Sequence, residues 1–169
     1  MDNNLIGVLG AGKSGIASCE LALKFGYKVI LSEISKNKKI DINKSKNVFV
    51  EQGEHSDKIL ECDTLILSPG ISPDIDIVTR AIKNNILVIG EIEFASWFSD
   101  SDIIAVTGSN GKTTTVQLIF EIFKRSGKDV LLGGNIGTSY SENVLHEIQS
   151  QKSFVHILEI SSYQSEHLY

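Results

Sequence analysis

Ile103-Ile-Ala-Val-Thr-Gly-Ser-Asn-Gly-Lys-Thr-Thr-Thr115 is an apolar run, then a glycine turn, then a lysine followed by threonines. Strand, glycine turn and helix start, in that order, belong to a parallel α/β sheet, whose ligands sit at the carboxyl ends of the strands. The stretch also suits a nucleoside triphosphate. Backbone N–H groups at a helix N-terminus wrap phosphates, a lysine reaches their outer oxygens, and a hydroxyl holds Mg²⁺. The general pattern of such loops is GxxxxGK[ST], and here Val106 stands where that pattern has its first glycine. Gly108 and Gly111 still let N–H groups converge, and Thr113 opens a helix whose positive end favours anions. Gly108, Ser109, Asn110, Gly111, Lys112, Thr113 and Thr114 are therefore the expected ATP-phosphate set, with Lys112 as the catalytic cation. The bland alternative is an ordinary glycine turn.

Downstream, Asp129–Leu132 and Phe154–Leu158 read as strands, with a helix over Thr138–Gln149 between them. Glu159 ends the second strand and carries a carboxylate past the sheet edge. Mg²⁺ beside a phosphate commonly takes one or two carboxylates, so Thr113 and Glu159 are the candidate metal ligands. A solvated strand-end glutamate is the alternative. Gly133-Gly-Asn-Ile-Gly137 is a further glycine cluster after a strand, with Asn135 offering an amide.

Upstream, the strand Leu5–Leu9 runs into Gly10-Ala-Gly-Lys-Ser-Gly15 and a helix over Ser14–Phe25, stopped by Gly26. The loop matches GxGxxG: one glycine for the turn, one for close approach of a diphosphate, one for helix–strand packing. Lys28–Ser32 is the next strand, and Glu33 at its end is placed to hold a ribose hydroxyl. Glycines used for packing alone are the alternative. Val48–Val50, Thr64–Leu67 and Ile86–Ile89 read as strands, Pro73–Ile82 and Glu91–Phe98 as helices, and Ser68-Pro-Gly-Ile-Ser72 as a turn. Strands alternating with helices give the fold class, α/β. A Rossmann-like parallel-sheet domain spans residues 1–98. Ser99-Asp-Ser-Asp102 is a polar break, and a P-loop-type α/β ATP-binding domain begins over 103–169. That second block holds about three strands, so the protein is expected to continue beyond Tyr169.

The chain has 169 residues, 41% hydrophobic and 22% charged, as in a soluble globular protein. A net charge of -5 offers no polyanion-binding surface, so no nucleic acid is expected. Lys36, Lys38, Lys39, Lys44 and Lys46, among Asn and Ser, read as a solvated loop. Cys19 and Cys62 lack CxxC spacing, and two reduced thiols fit a cytoplasmic location. No apolar run approaches the roughly 20 residues of a membrane span. Met1-Asp-Asn-Asn4 has no basic start of a signal peptide. The four histidines show no metal-ligand spacing, and His156, inside a strand, reads as structural. Trp97 and Phe98 are expected at the junction of the two blocks. Glu91 and Glu93 suit a helix start rather than an acid–base pair.

Gly10–Gly15, Ser68–Ile71, Gly90-Glu-Ile-Glu93, Thr107–Thr114, Gly133–Gly137 and Leu158-Glu-Ile-Ser-Ser-Tyr-Gln164, taken together over nearly the whole chain, resemble the Mur ligases of peptidoglycan synthesis. Asn110 and the 133–137 and 158–164 segments favour the member that adds D-glutamate. The resemblance implies a three-domain cytoplasmic enzyme, expected to be monomeric and without a membrane partner. Its first domain holds UDP-N-acetylmuramoyl-L-alanine, its second ATP and Mg²⁺, its third the incoming D-glutamate. It implies ATP-dependent amide formation through an acyl phosphate. Gly12, Lys13, Ser14, Glu33, Ser68, Gly70 and Asn135 would contact the UDP-substrate. Lys112, with Gly108–Thr114, would bind the ATP phosphates. Where the family often has Thr-Arg after the acidic end of the second strand, this chain has Ile34-Ser35, which bears on the uracil contacts. With the later domains absent, the 169-residue chain is expected to be inactive as a ligase by itself. Three rivals stand beside this reading: another Mur or folylpolyglutamate-like amide ligase, an NAD-dependent oxidoreductase argued from GxGxxG and Glu33, and a piece that only binds a UDP-muramoyl ligand.

Overall fold

A computed structural model describes residues 4–42, 46–161 and 164; Lys44, His167, Ser162 and Tyr163 of the segments above lie outside them. The chain divides into two compact units, Met1–Glu91 and Ile92–Tyr169.

The first unit is a five-stranded parallel sheet in the order β3-β2-β1-β4-β5, built from β1 (Leu5–Leu9), β2 (Lys28–Glu33), β3 (Val48–Gln52), β4 (Thr64–Leu67) and β5 (Leu87–Gly90). The three central strands are near-continuous apolar runs because both faces are covered. Edge strand β3 alternates and keeps Phe49 exposed. Helix α1 (Lys13–Lys24) links β1 to β2, and α2 (Asp76–Lys83) links β4 to β5. Leu9, Ile30, Leu65, Leu67 and Val88 of the sheet close against Ile77, Val78 and Ala81 of α2 and against Ile59 and Cys62. Ile59 belongs to a 3₁₀ turn, Asp57–Glu61, that no sequence pattern announced; Ser56 caps it by accepting from the Lys58 N–H. α2 starts three residues later than the sequence suggested, with Ile75 as its N-cap. The direction of strand order reverses between β1 and β4, and the Gly10–Gly15 and Ser68–Gly70 turns both leave the sheet at that point.

The second unit holds α3 (Glu91–Ser96, its first residue at the boundary), β6 (Ile103–Val106), α4 (Lys112–Arg125), β7 (Val130–Gly134), α5 (Tyr140–Ser150) and β8 (Val155–Glu159). Phe94 of α3 is fully buried and meets Trp97 and Phe98 edge-on, at 5.6 and 5.0 Å between centroids. The three strands are parallel in the order β6-β8-β7. β8 is central, and its VHILE sequence is almost wholly buried. α4 buries only Val116, leaving Leu118 and Ile122 exposed. At the foot of β8, His156 is fully buried against the Glu147 carboxylate of α5, 3.0 Å away. Ser99 and Ser101 donate to the same carboxylate, which ties the stretch before β6 to this unit.

Candidate functional site

Register sets the geometry of the second unit's cleft. Val106 and Gly134 flank Glu159 at the carboxyl end of the sheet, so the loop after β6 and the loop after β7 converge on one carboxylate. Glu159 is 2% exposed. Its Oε2 accepts from Thr113 Oγ1 at 2.7 Å, and its Oε1 from Asn135 Nδ2 at 2.9 Å. The Asn135 amide with that hydrogen bond, the Thr113 hydroxyl and the Lys112 charge overcome burial and hold the Glu159 pKa below the usual carboxylate range.

Glycine at 134 is what permits this approach. A Cβ there would lie 2.3 Å from the Glu159 carbonyl oxygen, and its φ is +95°. The next residue's N–H, of Asn135, donates to that same carbonyl at 2.7 Å. Gly111, at φ +77°, caps α4 without a side-chain bond, which leaves the first N–H groups of the helix to a ligand. Lys112 arches over the loop, its Nζ 2.7 Å from the Gly108 carbonyl. Ser109, Asn110, Gly111, Lys112, Thr113, Thr114, Asn135 and Glu159 line an open polar cleft of about 300 Å³.

The first unit has its own convergence. Gly10 has φ +91°, turning the chain from β1 towards α1. A Cβ on Gly15 would stand 1.9 Å from the Gly10 carbonyl, so this glycine serves helix–strand packing. Ser68 Oγ donates to that carbonyl at 2.9 Å and binds the β4 turn to the loop. Gly12 differs: a Cβ there meets nothing within 4 Å. Packing does not require glycine at this N-cap, which leaves open surface beside the uncapped start of α1. Lys13 is exposed and Ser14 half-buried on that first turn. Gly70, at φ +93°, also faces open space.

Glu33 closes the loop from the β2 side. Its Oε2 accepts from the Ala11 N–H at 2.9 Å and from Lys38 Nζ at 2.8 Å, and its Oε1 from the Ser35 N–H at 3.0 Å. Burial pushes its pKa up, but the Lys38 ammonium and the two N–H groups prevail and bring it to about 2. Beside it, Ser32 Oγ, fully buried, contacts both Glu51 and His55 Nδ1, and Glu51 also accepts from Ser56.

Gly12, Lys13, Ser14, Glu33, Ser68 and Gly70 thus share the first unit's edge. Asn135, grouped with them by sequence, lies in the second unit's cleft against Glu159. Two parts of these sites escaped the sequence. Lys38 sat in a lysine-rich run that reads as solvated, and the run gives no signal that one member folds back. The Ser32–Glu51–His55 group joins residues of β2, β3 and the connection after β3 that no motif links. Among the described residues no cluster of three or more His, Cys, Asp or Glu forms a metal site. No described helix is long and apolar enough to cross a membrane.

Comparison with known proteins follows the same division. Residues 5–77 match the MurD N-terminal domain, and residues 106–167 the Mur ligase middle domain. UDP-N-acetylmuramoylalanine--D-glutamate ligase of Christiangramia forsetii is 40% identical over 93% of this chain. The protein of that name from Bacteroides fragilis is 39% identical over 96%. The chain spans about 35% and 36% of the length of these two relatives. Among solved structures, a murein peptide ligase from Psychrobacter arcticus superposes with a TM-score of 0.53 at 18% identity, over 92% of this chain and 37% of that one. A pseudomurein peptide ligase type C from Methanothermus fervidus gives 0.51 at 24% identity, over 94% and 33%. Both likenesses show the fold.

Proposed function

This chain belongs to the Mur ligase family, and on that premise we propose that it forms the nucleotide-substrate domain and the start of the ATP-binding domain of a ligase joining D-glutamate to UDP-N-acetylmuramoyl-L-alanine. Family membership displaces the NAD-dependent oxidoreductase reading. The observation that carries the proposal is the meeting of Lys112, Thr113, Asn135 and Glu159 in one cleft.

The reaction proposed is amide formation in two displacements. A substrate carboxylate oxygen attacks the γ-phosphorus of ATP and ADP leaves. The amine of D-glutamate then attacks the acyl carbon and phosphate leaves. Such chemistry depends on positioning and charge neutralisation. The free N–H groups at the start of α4 cradle phosphate oxygens, and Lys112 swings from the Gly108 carbonyl to the outer ones. Magnesium fits the donors present: Thr113 Oγ1 and Glu159 Oε2 are hard oxygens 2.7 Å apart, and phosphate and water complete such a shell. When bound, Mg²⁺ neutralises charge on the phosphate oxygens. Asn135 keeps Glu159 oriented and ionised for that task. In the first unit, the N-terminus of α1 receives the diphosphate of the UDP-substrate, and Glu33 stands where the ribose would lie. The same proposal places the protein in the cytoplasm.

Calorimetry on the 169-residue chain tests it. UDP-N-acetylmuramoyl-L-alanine and a non-hydrolysable ATP analogue with Mg²⁺ are expected to bind, and NADH is not. Tight NADH binding without response to the UDP-sugar would sink the proposal.

A further inference from the structure

Among the described lysines of its run, Lys38 is the one that is drawn onto the carboxylate at the glycine-loop edge of the first unit. Its Nζ lies 2.8 Å from Glu33 Oε2, the oxygen that also accepts from the Ala11 N–H of the loop. The backbone around it is shaped to put it there. Gln52 Nε2 donates to the Lys38 carbonyl at 2.8 Å and to the Ser35 carbonyl at 3.4 Å. The Lys36 stem lies over Gly53, where a Cβ would come within 2.7 Å of it. The Gly53 N–H in turn donates to the Glu33 carbonyl at 2.8 Å.

The donor and acceptor count leaves capacity for a ligand. An ammonium has three N–H donors, and among the described residues the Lys38 ammonium makes one hydrogen bond, to Glu33. The Lys38 side chain is 38% exposed, against 7% for Glu33, so the free donors face outward. Charge points the same way. An ionised Glu33 beside the N-terminus of α1 repels a diphosphate seated there, and a cation within 3 Å cancels that repulsion. An ion pair this exposed adds little stability on its own.

Resting on the reading of the first unit as a nucleotide-substrate site, we propose that Lys38 is a further substrate-binding residue, donating from beside Glu33 to the phosphate oxygens of a nucleoside diphosphate at the start of α1. The lysine run supplies one binding cation, and its exposed neighbours Lys36 and Lys39 are solvated.

UDP titrated into the whole 169-residue chain is the probe, with wild type, Lys38→Met and Lys38→Arg compared by calorimetry from low to high NaCl, and circular dichroism confirming that each variant is folded. Loss of a charge-assisted hydrogen bond is expected to weaken UDP binding in Lys38→Met by on the order of tenfold or more at low salt. Lys38→Arg should retain most of the affinity. The gap between wild type and Lys38→Met should shrink as salt screens the lost charge, which a purely structural role would not produce. Equal UDP affinity in wild type and Lys38→Met, or a loss that salt leaves unchanged, would overturn the proposal while leaving the UDP site intact. No UDP binding by the wild type would overturn the site reading itself, and this proposal with it.

Discussion

At the scale of single residues, the proposed function gives Lys112 and Glu159 ligand roles that their present hydrogen bonds prepare in two different ways. Lys112 caps the carbonyl of its own loop at 2.7 Å and has to move only locally to meet a phosphate. Lys112→Ala is expected to weaken binding of an ATP analogue at least tenfold and, in a full-length ligase, to remove most turnover. Near-normal binding in that variant would remove Lys112 from the phosphate set. Glu159 is ionised because Asn135, Thr113 and Lys112 surround it. Glu159→Gln keeps the shape and removes the charge, so Mg²⁺-dependent tightening of ATP-analogue binding should fall while metal-free binding changes little. Calorimetry with and without Mg²⁺ reads the difference. Gly15 is a packing residue: a Cβ 1.9 Å from the Gly10 carbonyl cannot be accommodated without moving the backbone. Sequence reading saw Lys112 and Gly15 because each lies in a glycine-punctuated loop after an apolar strand, and Glu159 because it is the charged end of an apolar strand. It did not see Lys38 on Glu33 or His156 on Glu147, since neither a lysine five residues past a strand end nor a helix residue paired with a strand nine residues on gives a periodic signal.

At the scale of elements, the strands and long helices were legible from apolar runs and glycine stops. Gly26 shows why: at φ +84° it ends α1, with its N–H returning to the Leu23 carbonyl. Boundaries shifted where polar residues decide them. Ser139 Oγ accepts from the Glu142 N–H and starts α5 at Tyr140, two residues after the expected Thr138. The 3₁₀ turn at Asp57–Glu61 was invisible because its single turn has no period to read. The β7–α5 connection gives the sharpest test of how an element end builds the cleft. Gly134→Ala would press a methyl against the Glu159 carbonyl and force a left-handed conformation on alanine. The end of β7 should detach from β8 and carry Asn135 off the carboxylate. A loss of about 2 kcal/mol or more is expected, larger than for an exposed glycine. Gly26→Ala, also left-handed but facing open space, is the control, with an expected cost of about 1 kcal/mol. Chemical denaturation of both variants measures the contrast, and equal losses would refute the steric account.

At the scale of the whole molecule, buried ionisable groups make stability depend on pH in a defined order. Burial is the largest influence on His156 and lowers its pKa against the pull of Glu147, and His55 is lowered for the same reason against Glu51 and Glu33. An unfolded chain binds those protons more readily, so their contribution is complete above the unfolded value of 6.5 and is lost as pH falls through the folded values. Carboxylates act lower. Glu147 is held down against its burial by Ser101, Ser99 and His156, and Glu33 to about 2 against an unfolded 4.5. Glu33 thus adds stability above pH 4.5 that is lost as pH falls towards 2. Stability should therefore decline in two stages, first below 6.5 and then below 4.5. The chain's one tryptophan, Trp97, lies in the second unit and reports on the part that holds His156 and Glu147. Urea titrations followed by Trp97 fluorescence should show the first stage flattened in His156→Gln and unaltered in Glu33→Gln. Circular dichroism, which sees both units, should show the second stage flattened in Glu33→Gln. A fluorescence-detected first stage of undiminished size in His156→Gln would assign that acid sensitivity to groups other than the buried histidine.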